Sequence, residues 1–111
     1  MQFKNKYRNV KCVYDGLKFD SKKEAQRYAE LKLLEKCGAI QNLKTQVKFC
    51  IVPKTEKNRR ARFYVADFVY TEKGVQTIED VKSPITRRNP VYSLKKALVL
   101  VNYAEYNFVE T

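Results

Sequence analysis

The chain has 111 residues, with 23 lysines and arginines against 12 acids, a net charge of +11, and no histidine. A chain of this length forms a single domain that buries roughly two-thirds of its unfolded surface in one core, and its charge favours a polyanionic partner, nucleic acid above all. The missing histidine excludes Ser-His-Asp and Cys-His nucleophilic sites, His-ligated zinc and histidine general bases, so carboxylates and lysines must carry any chemistry.

Cys12, Cys37 and Cys50 are odd in number and contain no C-x-x-C, so they read as free, buried or half-buried thiols of a reducing compartment. No apolar run approaches the roughly 18 residues of a membrane span, and the polar N-terminus lacks a signal-peptide core. The expectation is a cytoplasmic protein.

In chain order, residues 1–9 form a loose basic arm. Residues 11–20 place Asp15-Gly16 between two short alternating runs, a strong hairpin signal. A helix follows from about Ser21 to Cys37, stopped by Gly38. Its apolar stripe is Ala25, Tyr28, Ala29, Leu31, Leu34 and Cys37, with Lys22, Lys23, Gln26, Arg27 and Lys36 outside. Glu24 has two readings. Ser21-x-x-Glu24 is a capping box, in which the Glu side chain returns to the cap amide; Glu24 also stands at the top of the buried face, where it can reach a metal held by neighbouring strands.

Residues 46–52 predict a strand closed by Pro53, and the charged run 54–62, with Arg59 and Arg60, an exposed loop. Residues 61–82 predict two strands joined at Lys73-Gly74. The first is aromatic and β-branched with Asp67 in its middle. In the second, Ile78, Asp80 and Lys82 share one face and Thr77, Glu79 and Val81 the other. A two-residue turn sets Glu72 against Val75 and hence Asp67 against Asp80, whereas a three-residue loop with Gly74 as a bulge sets Asp67 against Glu79. Opposed carboxylates about 4.5–5.5 Å apart at Cβ repel unless a cation lies between them, and Mg²⁺ suits such an oxygen site. Acids on a solvated face paired with lysines are the competing reading.

The loop 83–90 brings Arg87 and Arg88 near that site, with geometry suited to phosphate. Asn89-Pro90 then opens a second helix to about Asn102, with Tyr92, Leu94, Ala97, Leu98 and Val101 facing the core and Lys95 and Lys96 outside. Residues 106–109 predict a last strand. The order of hairpin, helix, three strands, helix and strand implies an α/β fold, a mixed sheet flanked by two helices.

From about Val10 to its C-terminal end the chain resembles the PD-(D/E)xK nuclease superfamily, with its restriction-endonuclease-like fold, and most of all the small phage-encoded members related to Holliday junction resolvases. The segments carrying the likeness are DGLKFDSKKEAQRYAELKLLEKCGAI, LKTQVKF, FYVADFVY and IEDVKS. Ala66 stands where proline is nominal. The resemblance implies a catalytic set of Glu24, Asp67, Asp80 and Lys82. In it, Asp67, Asp80, the Val81 carbonyl and Glu24 hold Mg²⁺ or Mn²⁺, and Lys82 orients or deprotonates the attacking water. Gln46 falls within the likeness, as a residue that positions DNA or as a structural hydrogen-bonder. The implied activity is hydrolysis of phosphodiesters in branched DNA, leaving a 5′-phosphate. Paired cuts at a four-way junction imply a homodimer, with Arg59, Arg60, Arg87, Arg88, Lys95, Lys96 and the N-terminal arm supplying DNA-facing charge. A nicking or flap nuclease, a non-catalytic DNA-binding protein on this fold and a basic RNA-binding module are the alternatives.

Overall fold

The computed structural model describes residues 12–83 and 87–111. The expected basic arm and residues 84–86 of the loop after Lys82 lie outside the described residues.

The expected order of elements is the observed one. Strands β1 (Cys12–Tyr14) and β2 (Leu17–Phe19) form the hairpin. Helix α1 spans Lys22–Lys36. Strands β3 (Gln41–Val52), β4 (Arg62–Glu72) and β5 (Val75–Asp80) come next, then helix α2 (Pro90–Asn102) and strand β6 (Asn107–Glu110). The main sheet has the order β3-β4-β5-β6, antiparallel except that β6 runs parallel to β5. This is the α/β architecture expected, a mixed sheet flanked by two helices and preceded by a small hairpin.

Local chemistry accounts for the boundaries. Both hairpins close with two residues at positive φ, Asp15-Gly16 at 55° and 77° and Lys73-Gly74 at 53° and 79°, the type I′ geometry whose twist matches the strands. The second turn therefore pairs Glu72 with Val75, and the ladder runs back to Phe68 opposite Glu79. Helix α1 is capped by Ser21, whose hydroxyl accepts the Glu24 N–H at 3.1 Å. Helix α2 is capped by Asn89, which accepts from Val91 N, with Pro90 in the first turn.

Two cores form, one on each face of the sheet. Phe19, Ala25, Tyr28, Leu31, Ile40, Phe68 and Tyr70 pack under α1, and Phe49, Ile51, Tyr64, Ala66, Val69, Ile78 and Val99 under α2. Membership shows that the central strands turn over. On β4, Tyr64 and Ala66 face α2 but Phe68 and Tyr70 face α1, although all four share strand parity; the change falls at Asp67. On β3, Leu43 packs with α1 and Val47, Phe49 and Ile51 with α2. Between them Gln46 has φ +52°, a left-handed conformation that costs a side-chain-bearing residue about 1–2 kcal/mol. The register beside it, Thr45↔Phe68 and Val47↔Ala66, sets Gln46 against Asp67. The sheet thus inverts its faces at one cross-strand pair, between the two cores.

Several expectations are corrected. Strand β3 begins at Gln41 rather than Gln46, because the long partner β4 gives it a ladder that its polar first half does not advertise. Leu34 and Cys37 are exposed. Arg27 is not outside but half-buried, reaching Glu79. On α2, Leu94 and Val101 are 63% and 76% exposed and Ala97 is exposed. Tyr92 and Leu98 pack as expected, and the stripe continues through Lys96, Val99 and Tyr103, with Tyr92, Lys96, Val99 and Tyr103 spaced four, three and four residues apart. Lys95 and Lys96 are accordingly half-buried rather than on the outer side. Lys96 lies over the Phe108 ring and pairs with Glu110 at 3.2 Å.

Candidate active site

The end of β5, the start of α1 and the inversion point of β3 and β4 meet around a cleft of about 240 Å³, room for a phosphate group and several waters. Its walls include Glu24, Asp67, Val81 and Lys82. Asp80 continues the β5 ladder opposite Asp67 and is fully buried.

The two aspartates are interlocked through backbone amides. Asp67 N–H donates to Asp80 Oδ1 at 2.9 Å, and Val81 N–H donates to Asp67 Oδ2 at 2.9 Å. Each carboxylate thus holds the other's strand in place. Asp80 Oδ2 is buried with no hydrogen-bond partner, which is costly for a carboxylate and calls for an explanation. Burial raises the Asp80 and Asp67 carboxyls above their ordinary range, with the partner amide and then Lys82 opposing the rise at each.

Glu24 is buried against this pair from α1. Burial pushes its carboxyl up to about 7, the charges of Asp67 and Asp20 add to the rise, and Lys82 opposes it. Its Oε2 accepts from Gln46 Nε2 at 3.2 Å, so the strained residue of β3 joins the helix to the sheet. The Gln46 amide also favours the charged form of Asp67. Of the two readings of Glu24, Ser21 does cap the helix through the Glu24 amide. The Glu24 carboxylate, however, is directed to Gln46 and the acid cluster. Lys82 lies with its ammonium 5.0 Å from the centre of the Tyr92 ring, and Lys23 reaches the Lys82 carbonyl at 3.4 Å.

The structure therefore brings together Glu24, Gln46, Asp67, Asp80, Val81 and Lys82. The arginines are more dispersed. Arg59 and Arg60 are exposed on the loop between β3 and β4. Arg87 reaches the Thr111 carbonyl at 3.4 Å, and Arg88 is exposed just before α2. Asp20 also lines the cleft and was not singled out from sequence. Its place directly before the Ser21 cap of a helix that carries Glu24 is the signal that points to it.

For a hard divalent cation the donor chemistry fits, since Glu24, Asp67, Asp80 and the Val81 carbonyl offer only oxygens and one buried carboxylate oxygen is unpartnered. Among the described residues no three acids or cysteines are already gathered as a metal-binding group. The carboxylates are held ready by amides rather than by one another.

Residues 4–109 match the family model described as Protein of unknown function (DUF1064), and the chain belongs to that family. No match was found among curated proteins or solved structures. Among the described residues no helix is long and apolar enough to cross a membrane.

Proposed function

We propose that this DUF1064 member is a metal-dependent endodeoxyribonuclease of the PD-(D/E)xK type, acting on branched DNA as a Holliday junction resolvase in the cytoplasm. The observation that carries the reading is Asp80, a fully buried carboxylate with an orphan oxygen, set against Asp67, beneath Glu24 and two residues before Lys82. A hairpin with solvated acids would place none of these groups out of water.

Asp67, Asp80, Glu24 and the Val81 carbonyl are the groups that would hold Mg²⁺ or Mn²⁺. When bound, the cation supplies Lewis acidity, lowering the pKa of a water and offsetting charge that builds on phosphate. The chain's own residues do the rest. Lys82 brings a positive charge to the cleft, where it pairs with the phosphate or orients a water beside it. Glu24, with its carboxyl pushed up to about 7, must give up its proton to serve as a ligand at neutral pH. Gln46 fixes Glu24 in place. Arg59, Arg60 and Arg88 present charge to the DNA backbone, which makes binding strongly salt-dependent. One chain has one such site, so symmetric cutting of a junction requires a homodimer.

The test is cleavage of a labelled four-way junction and a matched duplex, each with Mg²⁺ or with EDTA, beside Asp80→Ala. Paired, metal-dependent nicks near the crossover, absent on duplex and in the variant, are expected. Cutting of both substrates would leave a nuclease of other structure preference. Binding without cutting, with Mn²⁺ as well, would reduce the protein to a DNA-binding scaffold.

A further inference from the structure

Helix α1 covers only one end of its face of the sheet. Its core is Ile40, Phe68 and Tyr70 with Leu43 at the margin, and its N-terminal end stops at the cleft. Beyond the inversion at Gln46 and Asp67 the same side of β3 and β4 carries Lys48, Cys50, Phe63 and Val65, in the register Lys48↔Val65 and Cys50↔Phe63. Among the described residues no helix covers that strip, although Cys50 within it is half-buried. Phe63 and Val65 are 42% and 43% exposed, Lys48 is exposed, and the Lys48 ammonium sits 5.7 Å from the centre of the Phe63 ring.

Past Cys50 and Phe63 the strip runs into the loop of residues 53–61, which has four basic residues and a single acid. The loop is braced by Asn58, whose side chain donates to the Pro53 carbonyl at 2.8 Å and whose N–H donates to Thr55 Oγ1 at 2.9 Å. The acid cluster, an exposed aromatic ring with a cation beside it, and a basic loop therefore lie in line. Four residues of strand separate Asp67 from Phe63, about 13 Å at the usual rise.

We propose that this strip binds an unpaired DNA strand, one base of which stacks on Phe63 while Lys48 meets its phosphate. The inference rests on the DNA-binding part of the function proposed above and adds an affinity for branched DNA that carries an unpaired strand, beyond a fully paired junction. Charge alone would serve a duplex, whose phosphates face outward and whose bases hide their π-faces. A half-exposed ring on a flat sheet offers nothing to a duplex but matches an unstacked base. The 13 Å span equals about four nucleotides at the 3.4 Å rise of one strand, and fewer if the strand is extended. Among the described residues the strip itself, Lys48, Cys50, Phe63 and Val65, carries no acid; Asp20 lies at the cleft end of the path.

Because the chain has no tryptophan, Phe63→Trp provides a single fluorophore at the proposed stacking position. In EDTA, duplex DNA with a single-stranded tail at either end is expected to quench that fluorescence, while a blunt duplex of the same sequence leaves it unchanged. Phe63→Ala is expected to weaken tailed-duplex binding on the order of 5- to 150-fold and blunt-duplex binding little, the range that base–aromatic stacking spans. Equal quenching by both DNAs, or binding of both with no quenching, overturns the inference. Running the same Phe63→Trp protein with Mg²⁺ on the tailed and four-way substrates separates the two proposals. Cleavage without tail-dependent quenching removes the stacking strip and keeps the nuclease. Tail-dependent quenching without cleavage keeps the strip and removes the nuclease.

Discussion

Glu79 and Asp80 are neighbours on β5, both fully buried, and their surroundings are opposites. On the α1 side, Glu79 takes two donors from the Arg27 guanidinium, the Tyr70 hydroxyl at 2.7 Å and the Thr111 hydroxyl at 3.0 Å. Burial, and then the bond to Glu79, raise the Tyr70 hydroxyl. Every lone-pair direction of that carboxylate is used. Asp80, by contrast, takes one backbone amide and leaves Oδ2 bare. Removing an acid from water is tolerable only when protein groups replace the water. Glu79 obeys that rule; Asp80 breaks it, which is the contrast on which the proposed role of Asp80 rests.

The comparison breaks most sharply at Asp80. Asp80→Asn keeps an acceptor for the Asp67 N–H and removes the uncompensated charge, so the melting temperature should equal or exceed the parent's. Nuclease activity should fall by about 10³-fold or more, the loss of several kcal/mol of transition-state stabilisation. A variant that unfolds instead would make Asp80 as structural as Glu79. Glu79→Ala should behave the other way. It strands the half-buried Arg27 and the Tyr70 hydroxyl and should cost about 3 kcal/mol in urea unfolding, the low end for breaking a buried pair. Specific activity of the fraction still folded should be close to the parent's.

The smallest effect is one of pH. Glu24 titrates near 7 in the folded protein and at 4.5 by its ordinary value, so the folded state binds the proton more tightly. Its contribution to stability is complete below pH 4.5 and is lost as pH rises through about 7. Unfolding free energy compared between parent and Glu24→Gln should diverge across that window by on the order of 2 kcal/mol. Identical profiles would show that the cleft does not hold Glu24 out of water.

Much of this arrangement could be read from residue types. Asp15-Gly16 and Lys73-Gly74 announce tight turns, but the residues left the second loop at two or three residues; positive φ at both Lys73 and Gly74 selects the two-residue turn and so sets Asp67 against Asp80. Ser21, Asn89 and Pro90 announce helix starts because their side chains answer amides a few residues away. The failures have one cause. Helix α2 is apolar on more than one side, so composition offered Leu94 and Val101 as core beside Tyr92 and Leu98, whereas the sheet kept Tyr92 and Leu98 and took Val99. Arg27 read as a surface cation because its partner lies 52 residues away on another strand.

Sequence by itself determined the order of the elements, both tight turns and the helix caps, which depend on interactions a few residues long; Glu24, Asp67, Asp80 and Lys82 stand together as site candidates through the family resemblance. Tertiary structure alone decided that the sheet inverts at Gln46 and Asp67, which of the two adjacent acids is satisfied, and which face of α2 is buried. Those outcomes depend on what a side chain meets from a distant segment, and a buried carboxylate is structural or reactive according to whether that segment brings it a donor.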